Sequence, residues 1–137
     1  MTFLTFAAAY PIVAAMQAAG GELKEPSLIN EMPFVVRVFF AVILVPPLET
    51  AVAQWAPIML CMRCFGMSAT ASGLISAILF GLMHSFSAPY MLGTFVVGLL
   101  FSYTFFLAIA RKESPFWMVT AVHATRNAVT LALRTLL

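Results

Sequence analysis

Five long apolar stretches, separated by short segments rich in proline, glycine and polar residues, make up most of this chain. They cover residues 2–19, 34–64, 69–85, 91–110 and 116–137. A run of about 20 predominantly apolar residues is long enough to cross the hydrocarbon core of a bilayer as a helix. The pattern therefore predicts an all-α fold, a polytopic transmembrane bundle of about five helices.

Composition supports this interpretation and limits the classes of function. Hydrophobic residues make up 63% of the 137 residues and charged residues only 9%, with a mean hydropathy of +1.02, whereas ordinary soluble domains are about 25% charged. The length predicts a single transmembrane helical domain, with a first span and loop over residues 1–32 and a core over residues 33–137. The net charge of +2 comes from scattered basic residues, so we expect no nucleic-acid partner, which requires a clustered basic face.

We expect the first apolar stretch to be a membrane span that is retained in the mature protein. It lacks the basic residues that precede the apolar region of a secretory signal, although a cleaved leader is the alternative interpretation. Gly20 and Gly21 end the stretch, and a solvated loop is predicted from Glu22 to Pro33, where charged residues and prolines accumulate.

Cys61 and Cys64 form a Cys-x-x-Cys pair. A structural zinc site uses four ligands, and the chain has no second cysteine pair. Nothing around the pair resembles a thioredoxin-type redox site. We therefore expect two reduced cysteines at the end of a helix.

The second apolar stretch carries a carboxylate, Glu49, directly after Pro46, Pro47 and Leu48. A charged side chain at the centre of a bilayer costs roughly 2.5–3.5 kcal/mol on insertion scales, so its default interpretation is functional. Two prolines interrupt a helix because they lack N–H donors and clash with the preceding turn. We expect a broken or kinked helix here, with Glu49 in the first turn after the kink, near a partly positive helix N-terminus that favours an anion.

Two later helices supply further polar side chains. The third stretch has small residues every fourth position, at Ala69, Gly73, Ala77, Gly81 and Ser85, and such a stripe lets two transmembrane helices approach closely. The sequence places His84 beside that stripe and so inside the bundle. On the last helix, which the Ser114-Pro115 pair is predicted to begin, His123 and Asn127 lie one turn apart on the same face.

Three short motifs follow one another in these helices: Glu49-Thr50-x-x-x-Gln54, Phe80-x-x-x-His84 and His123-x-x-x-Asn127. Their order and separation resemble the three motifs of the CPBP (Abi) intramembrane proteases, the family that includes the type II CAAX prenyl proteases. The resemblance extends from about Phe34 to the C-terminus.

The resemblance implies a glutamate-dependent endopeptidase that works inside the bilayer. On that basis Glu49 activates water, His84 helps to hold the water, and His123 and Asn127 stabilise the oxyanion. General principles agree, because peptide hydrolysis needs a base for water and donors aimed at the developing negative charge. No cofactor is required on this interpretation. The family is often labelled a metalloendopeptidase, however, and zinc or another divalent metal would find His84, His123 and Glu49 as ligands.

The first motif departs from the usual Glu-Glu-x-x-x-Arg of the family. Thr50 replaces the second glutamate and Gln54 replaces the arginine, which puts in question any role of that arginine in substrate handling. Arg126 is a candidate to compensate for the missing charge. An ion pair between Glu49 and Arg126 is also the structural alternative to a catalytic Glu49.

Partners and location follow from the same interpretation. We expect an integral membrane protein, of a bacterial-type inner (plasma) membrane, in contact with membrane lipid and with a membrane-associated peptide or protein substrate, prenylated or not. A non-enzymatic membrane protein of the bacteriocin-immunity or partner-binding type is the alternative function. A small proton-coupled transporter is a third, because glutamate and histidine in a bundle also suit proton relays, but the chain shows no internal repeat of the transporter kind.

Overall fold

The structure is a computed structural model that describes residues 1–23 and 31–136. These residues form five helices and no strand, which confirms the predicted all-α bundle. Part of the predicted loop between Glu22 and Pro33 lies outside the described residues. The helices are α1 (Thr2–Ala18), α2 (Phe34–Cys64), α3 (Ala69–Met83), α4 (Ala88–Ala110) and α5 (Pro115–Leu136).

Two of the described helices, α2 and α4, are long and apolar enough to cross a membrane, while α1 and α3 are shorter apolar helices. Helix α5 begins at Pro115, as predicted, because a proline in the first turn loses no helical hydrogen bond. The two cysteines at the end of α2 are free, with Cys61 buried and Cys64 exposed.

Helix α4 lies in the middle of the bundle, where it contacts α1, α3 and α5. Its side chains Val97, Phe101 and Phe105 are almost completely buried and belong to the hydrophobic core. The small-residue stripe of α3 packs against it: a Cβ added at Gly98 would lie 3.0 Å from the Ala77 Cα. This contact confirms the predicted close approach of two helices through small residues.

Gly98→Ala is expected to destabilise the protein by about 1–3 kcal/mol, because the new methyl group would overpack against the Ala77 backbone. That loss outweighs the roughly 1 kcal/mol by which alanine is a better helix former than glycine. Gly93→Ala, on the same buried helix, is the comparison: its methyl group would lie 2.7 Å from Val13 Cγ2, which belongs to a side chain of α1 and not to a helix backbone. Thermal unfolding of both variants in detergent micelles measures the two effects, and wild-type stability of Gly98→Ala would contradict the tight α3–α4 contact.

Helix α2 is continuous through Pro46 and Pro47, so of the two predicted outcomes, a break or a kink, the break is wrong. An α-helical turn, Val45–Glu49, lies between two π-helical stretches, Phe39–Leu44 and Thr50–Trp55. In the wider π register, hydrogen bonds run to the fifth preceding residue instead of the fourth, and the helix continues through the prolines without ending. Glu49 consequently lies inside a helix of 31 residues, and the predicted helix N-terminus is not what stabilises it.

Candidate active site

A cavity of about 290 Å³ opens between α2, the end of α3, the start of α4, and α5. Each of the four helices contributes polar or aromatic side chains to its wall, and all four residues predicted from the motifs lie there: Glu49, His84, His123 and Asn127. These residues are 35 or more positions apart along the chain, except for the pair on α5. The tertiary structure thus brings the three motifs to one place.

Glu49 lies between the two histidines. Its Oε1 is 3.7 Å from His84 Nε2, and its Oε2 is 3.5 Å from His123 Nε2. These separations are longer than a good hydrogen bond, as is common for catalytic groups in the absence of substrate. Among the described residues, the ionisable partners of Glu49 are these histidines and not Arg126, so the alternative of a Glu49–Arg126 ion pair is not formed.

His84 is oriented by a bond to its own helix. It is the residue that ends α3, and its Nδ1 lies 2.8 Å from the Phe80 carbonyl oxygen. A carbonyl can only accept, so Nδ1 carries the proton and donates it. Nε2 is then unprotonated in the neutral ring, and its lone pair points toward Glu49 and the cavity. His84 can therefore accept a hydrogen bond from a water beside Glu49.

His123 has the opposite arrangement. Its ring is buried between the rings of Phe80 and Phe101, with centroids 5.7 and 4.9 Å away, and its Nδ1 is buried without a hydrogen-bond partner in the described part of the chain. A buried donor without a partner costs more than an unused acceptor, which favours the tautomer with the proton on Nε2. His123 then directs an N–H at the cavity.

Asn127 makes its hydrogen bond to another helix. Its Nδ2 donates to the Ala41 carbonyl oxygen of α2 at 2.9 Å. The side chain lies at the cavity wall, but the contact in the structure is with backbone. The oxyanion role inferred from the resemblance stays a prediction.

The family follows from a comparison with known proteins. A family model described as "Type II CAAX prenyl endopeptidase Rce1-like" matches residues 31–129, well over half of the chain and including all three motifs. The chain belongs to this Rce1-like family. A search of curated proteins finds no match, and neither does a search of solved structures.

The Rce1-like family is a peptidase family whose proteins are embedded in the membrane. The two apolar helices α2 and α4 agree with this location. It also connects the chain with membrane-associated peptide substrates. Helix α1 lies outside the matched residues, although it packs against α4 and α5 of the matched region.

Gln54, which takes the place of the arginine in the first motif, is completely buried and does not line the cavity. Ser76 Oγ lies 2.7 Å from both Gln54 Oε1 and the Ala53 carbonyl oxygen, and Ser102 Oγ lies 3.2 Å from Gln54 Oε1 and 3.0 Å from the Gly73 carbonyl oxygen. Each serine has only one hydroxyl hydrogen, which cannot serve both acceptors.

Rotating the Gln54 amide so that its oxygen and nitrogen exchange places gives both serine hydroxyls an acceptor and a donor. Both amide N–H groups then donate to the serine oxygens, while the serine hydroxyls donate to the Ala53 and Gly73 carbonyl oxygens. Gln54 thereby joins α2 to α3 and α4. In this member of the Rce1-like family the position has a structural role between helices.

Arg126 and Tyr90 are two cavity residues that the motifs did not identify as site residues. The Arg126 guanidinium lies over the Phe6 ring, 5.1 Å from its centroid, and also borders a second cavity of about 190 Å³ between α1, α4 and α5. The Tyr90 ring lies 5.9 Å from that of His84. The only sequence signal for Tyr90 is an aromatic residue at a helix start close to His84.

Metal binding was a second interpretation of Glu49, His84 and His123. No group of three or more His, Cys, Asp or Glu side chains within residues 1–23 and 31–136 is arranged to hold a metal ion. Metal binding by these three residues stays a prediction, and the chemistry proposed below uses only the side chains themselves.

Proposed function

We propose that this chain is a glutamate-dependent intramembrane endopeptidase that hydrolyses a peptide bond of a membrane-associated protein or peptide. The observation that carries the proposal is the position of Glu49 between two histidines that offer opposite hydrogen-bonding groups. His84 presents an acceptor and His123 a donor to the same cavity. Water activation needs the first, and stabilisation of an oxyanion needs the second.

In the proposed reaction, a water molecule binds between the Glu49 carboxylate and His84 Nε2 and donates one hydrogen bond to each. As its oxygen attacks the scissile carbonyl carbon, Glu49 takes one proton. The carbonyl oxygen becomes negatively charged, and the His123 Nε2–H donates a hydrogen bond to it.

The same carboxyl group completes the reaction. Glu49 returns its proton to the amide nitrogen, the C–N bond breaks, and a free amine leaves while the new carboxyl group forms. No covalent enzyme intermediate and no redox partner are needed, because one water molecule is added across the bond. Glu49 and His123 lie within helices, which hold side chains more precisely than loops do, and His84 directly follows the last residue of α3.

We further propose that the substrate carries a prenylated cysteine near its C-terminus. Support comes from the family description, which names CAAX prenyl endopeptidases, and a CAAX sequence is one whose cysteine is prenylated. The apolar cavity lined by Phe6, Ala9 and Val13 adjoins the candidate active site through Tyr90, Thr94 and Arg126, and would offer space to an apolar chain.

The test is hydrolysis of an internally quenched CAAX peptide by the full chain in lipid nanodiscs, with the products identified by mass spectrometry. A farnesylated peptide and the same peptide with an unmodified cysteine are compared. Faster cleavage of the farnesylated peptide supports both parts of the proposal. Equal cleavage of the two would leave an endopeptidase without prenyl recognition, and no cleavage of either would contradict the function.

Hydrolysis is expected to persist after chelation. The reaction described above uses a carboxylate and two neutral histidines, so EDTA or 1,10-phenanthroline should leave the rate within about twofold, and the purified protein should contain far less than one equivalent of metal. A loss of activity that is restored by added Zn²⁺ would contradict this prediction, because a zinc-bound water would then be the nucleophile.

A further inference from the structure

The two prolines before Glu49 leave backbone carbonyls of the preceding π-helical stretch without a donor in their own helix, and Ala41 is one of them. Val45 N–H donates to the Phe40 carbonyl oxygen, five residues earlier. In the same register, the next bond would run from residue 46 to Ala41. Residue 46 is proline and has no N–H, so the Ala41 carbonyl oxygen needs a donor from elsewhere, because inside a membrane no bulk water is available.

Asn127 supplies that donor. Its Nδ2 lies 2.9 Å from the Ala41 oxygen, across 86 positions of sequence. Ala41, Val45 and Glu49 follow one another at intervals of four residues and all line the cavity. The hydrogen bond thus attaches α5 to the face of α2 that carries Glu49, one turn of α5 away from His123.

We propose that Asn127 is a positioning residue: it replaces the N–H that Pro46 lacks and so holds the Glu49 face of α2 in register with His123 on α5. The activity part of this inference rests on the proposed function. Pro46 and Asn127 then act together. The proline frees a carbonyl, and that carbonyl becomes the attachment point between the helix that bears the base and the helix that bears the oxyanion donor.

An oxyanion donor that touches substrate would behave differently. Such a donor acts on the reacting carbonyl, so the loss of kcat on its removal does not depend on the residue at position 46. A positioning residue becomes dispensable once α2 regains its own donor. With alanine at position 46, the Ala41 carbonyl oxygen has a donor in its own helix in either register. In the π register it accepts from the N–H of residue 46, and in an α register it accepts from the Val45 N–H.

The experiment is a cycle of four proteins: the wild type, Asn127→Ala, Pro46→Ala and the double variant, in nanodiscs with the farnesylated quenched peptide. We expect Asn127→Ala to lower kcat by about 10–100-fold with KM nearly unchanged, because displacement of a catalytic group by about 1 Å can cost 100-fold. In the Pro46→Ala background the same change should lower kcat by less than about threefold. Asn127→Leu, which keeps the size but has no donor, should follow Asn127→Ala in both backgrounds.

A loss of kcat of equal size in both backgrounds would overturn the inference and restore the oxyanion role. The thermal unfolding midpoint of the same four proteins tests the contact without any activity. Asn127→Ala should lower Tm by several degrees in the wild-type background and by clearly less in the Pro46→Ala background. Equal shifts in the two backgrounds would overturn the contact. If the wild type cleaves no peptide, the proposed function fails while the Tm cycle still decides the role of Asn127.

Discussion

Glu49→Gln is expected to abolish hydrolysis while leaving the fold intact, with a loss of roughly 10³-fold or more in kcat. Glutamine keeps the size of the side chain and one carbonyl oxygen, but its amide cannot take a proton from water. General base catalysis alone contributes about 10²–10⁴-fold, and Glu49 also returns the proton to the leaving amine in the proposed reaction. Progress curves for the quenched peptide, with wild type and variant at equal concentration, measure the loss.

The same substitution at Glu113 is the matched control, since that carboxylate is exposed in the turn between α4 and α5. Glu113→Gln should cleave at the rate of the wild type. Wild-type activity in Glu49→Gln would contradict the protease mechanism. If the cellular phenotype of the protein also survived that change, the partner-binding alternative would gain support, because a binder needs the shape of the side chain and not its basicity.

His123→Leu is expected to lower kcat by about 10²–10³-fold with little change in KM. Removal of one oxyanion donor typically has an effect of this size, since the donor acts on a charge that exists only near the transition state. Leucine fills the space between Phe80 and Phe101 without leaving a large cavity. The separate determination of kcat and KM for the farnesylated peptide is therefore the decisive measurement.

His123→Gln serves as the comparison, because its amide offers an N–H from a side chain that reaches toward the same space. It should recover part of the lost kcat. A variant with raised KM and normal kcat would instead place His123 in substrate binding. Unfolding curves for both variants separate a catalytic loss from a loss of structure.

Much of the fold was predictable because the hydrophobic pattern depends on local physics. Runs of apolar residues long enough to cross a bilayer must be helical, since every backbone polar group needs an internal partner there. The small-residue stripe of α3 predicted a close contact for the same kind of reason, and Gly98 of α4 provides it. The start of α5 at Pro115 was predictable from the absence of the proline N–H.

The course of α2 was not predictable in this way. Two adjacent prolines indicate a break or a kink, and in the structure the helix continues through them next to a π-helical stretch. Which outcome occurs depends on whether another helix can satisfy the freed carbonyl oxygen, and that donor, Asn127, is 86 positions from Ala41. The local sequence around the prolines does not show that Asn127 and Ala41 lie close together in space.

The site shows the same division. The sequence by itself determined an apolar helical bundle and three motifs that carry ionisable or amide side chains, because periodicity and residue chemistry are local properties. Only the tertiary structure decided that Glu49 lies between His84 and His123, that the two rings present opposite hydrogen-bonding groups, and that Gln54 joins three helices. Those features depend on how helices pack, and packing is settled by contacts between residues far apart in the chain.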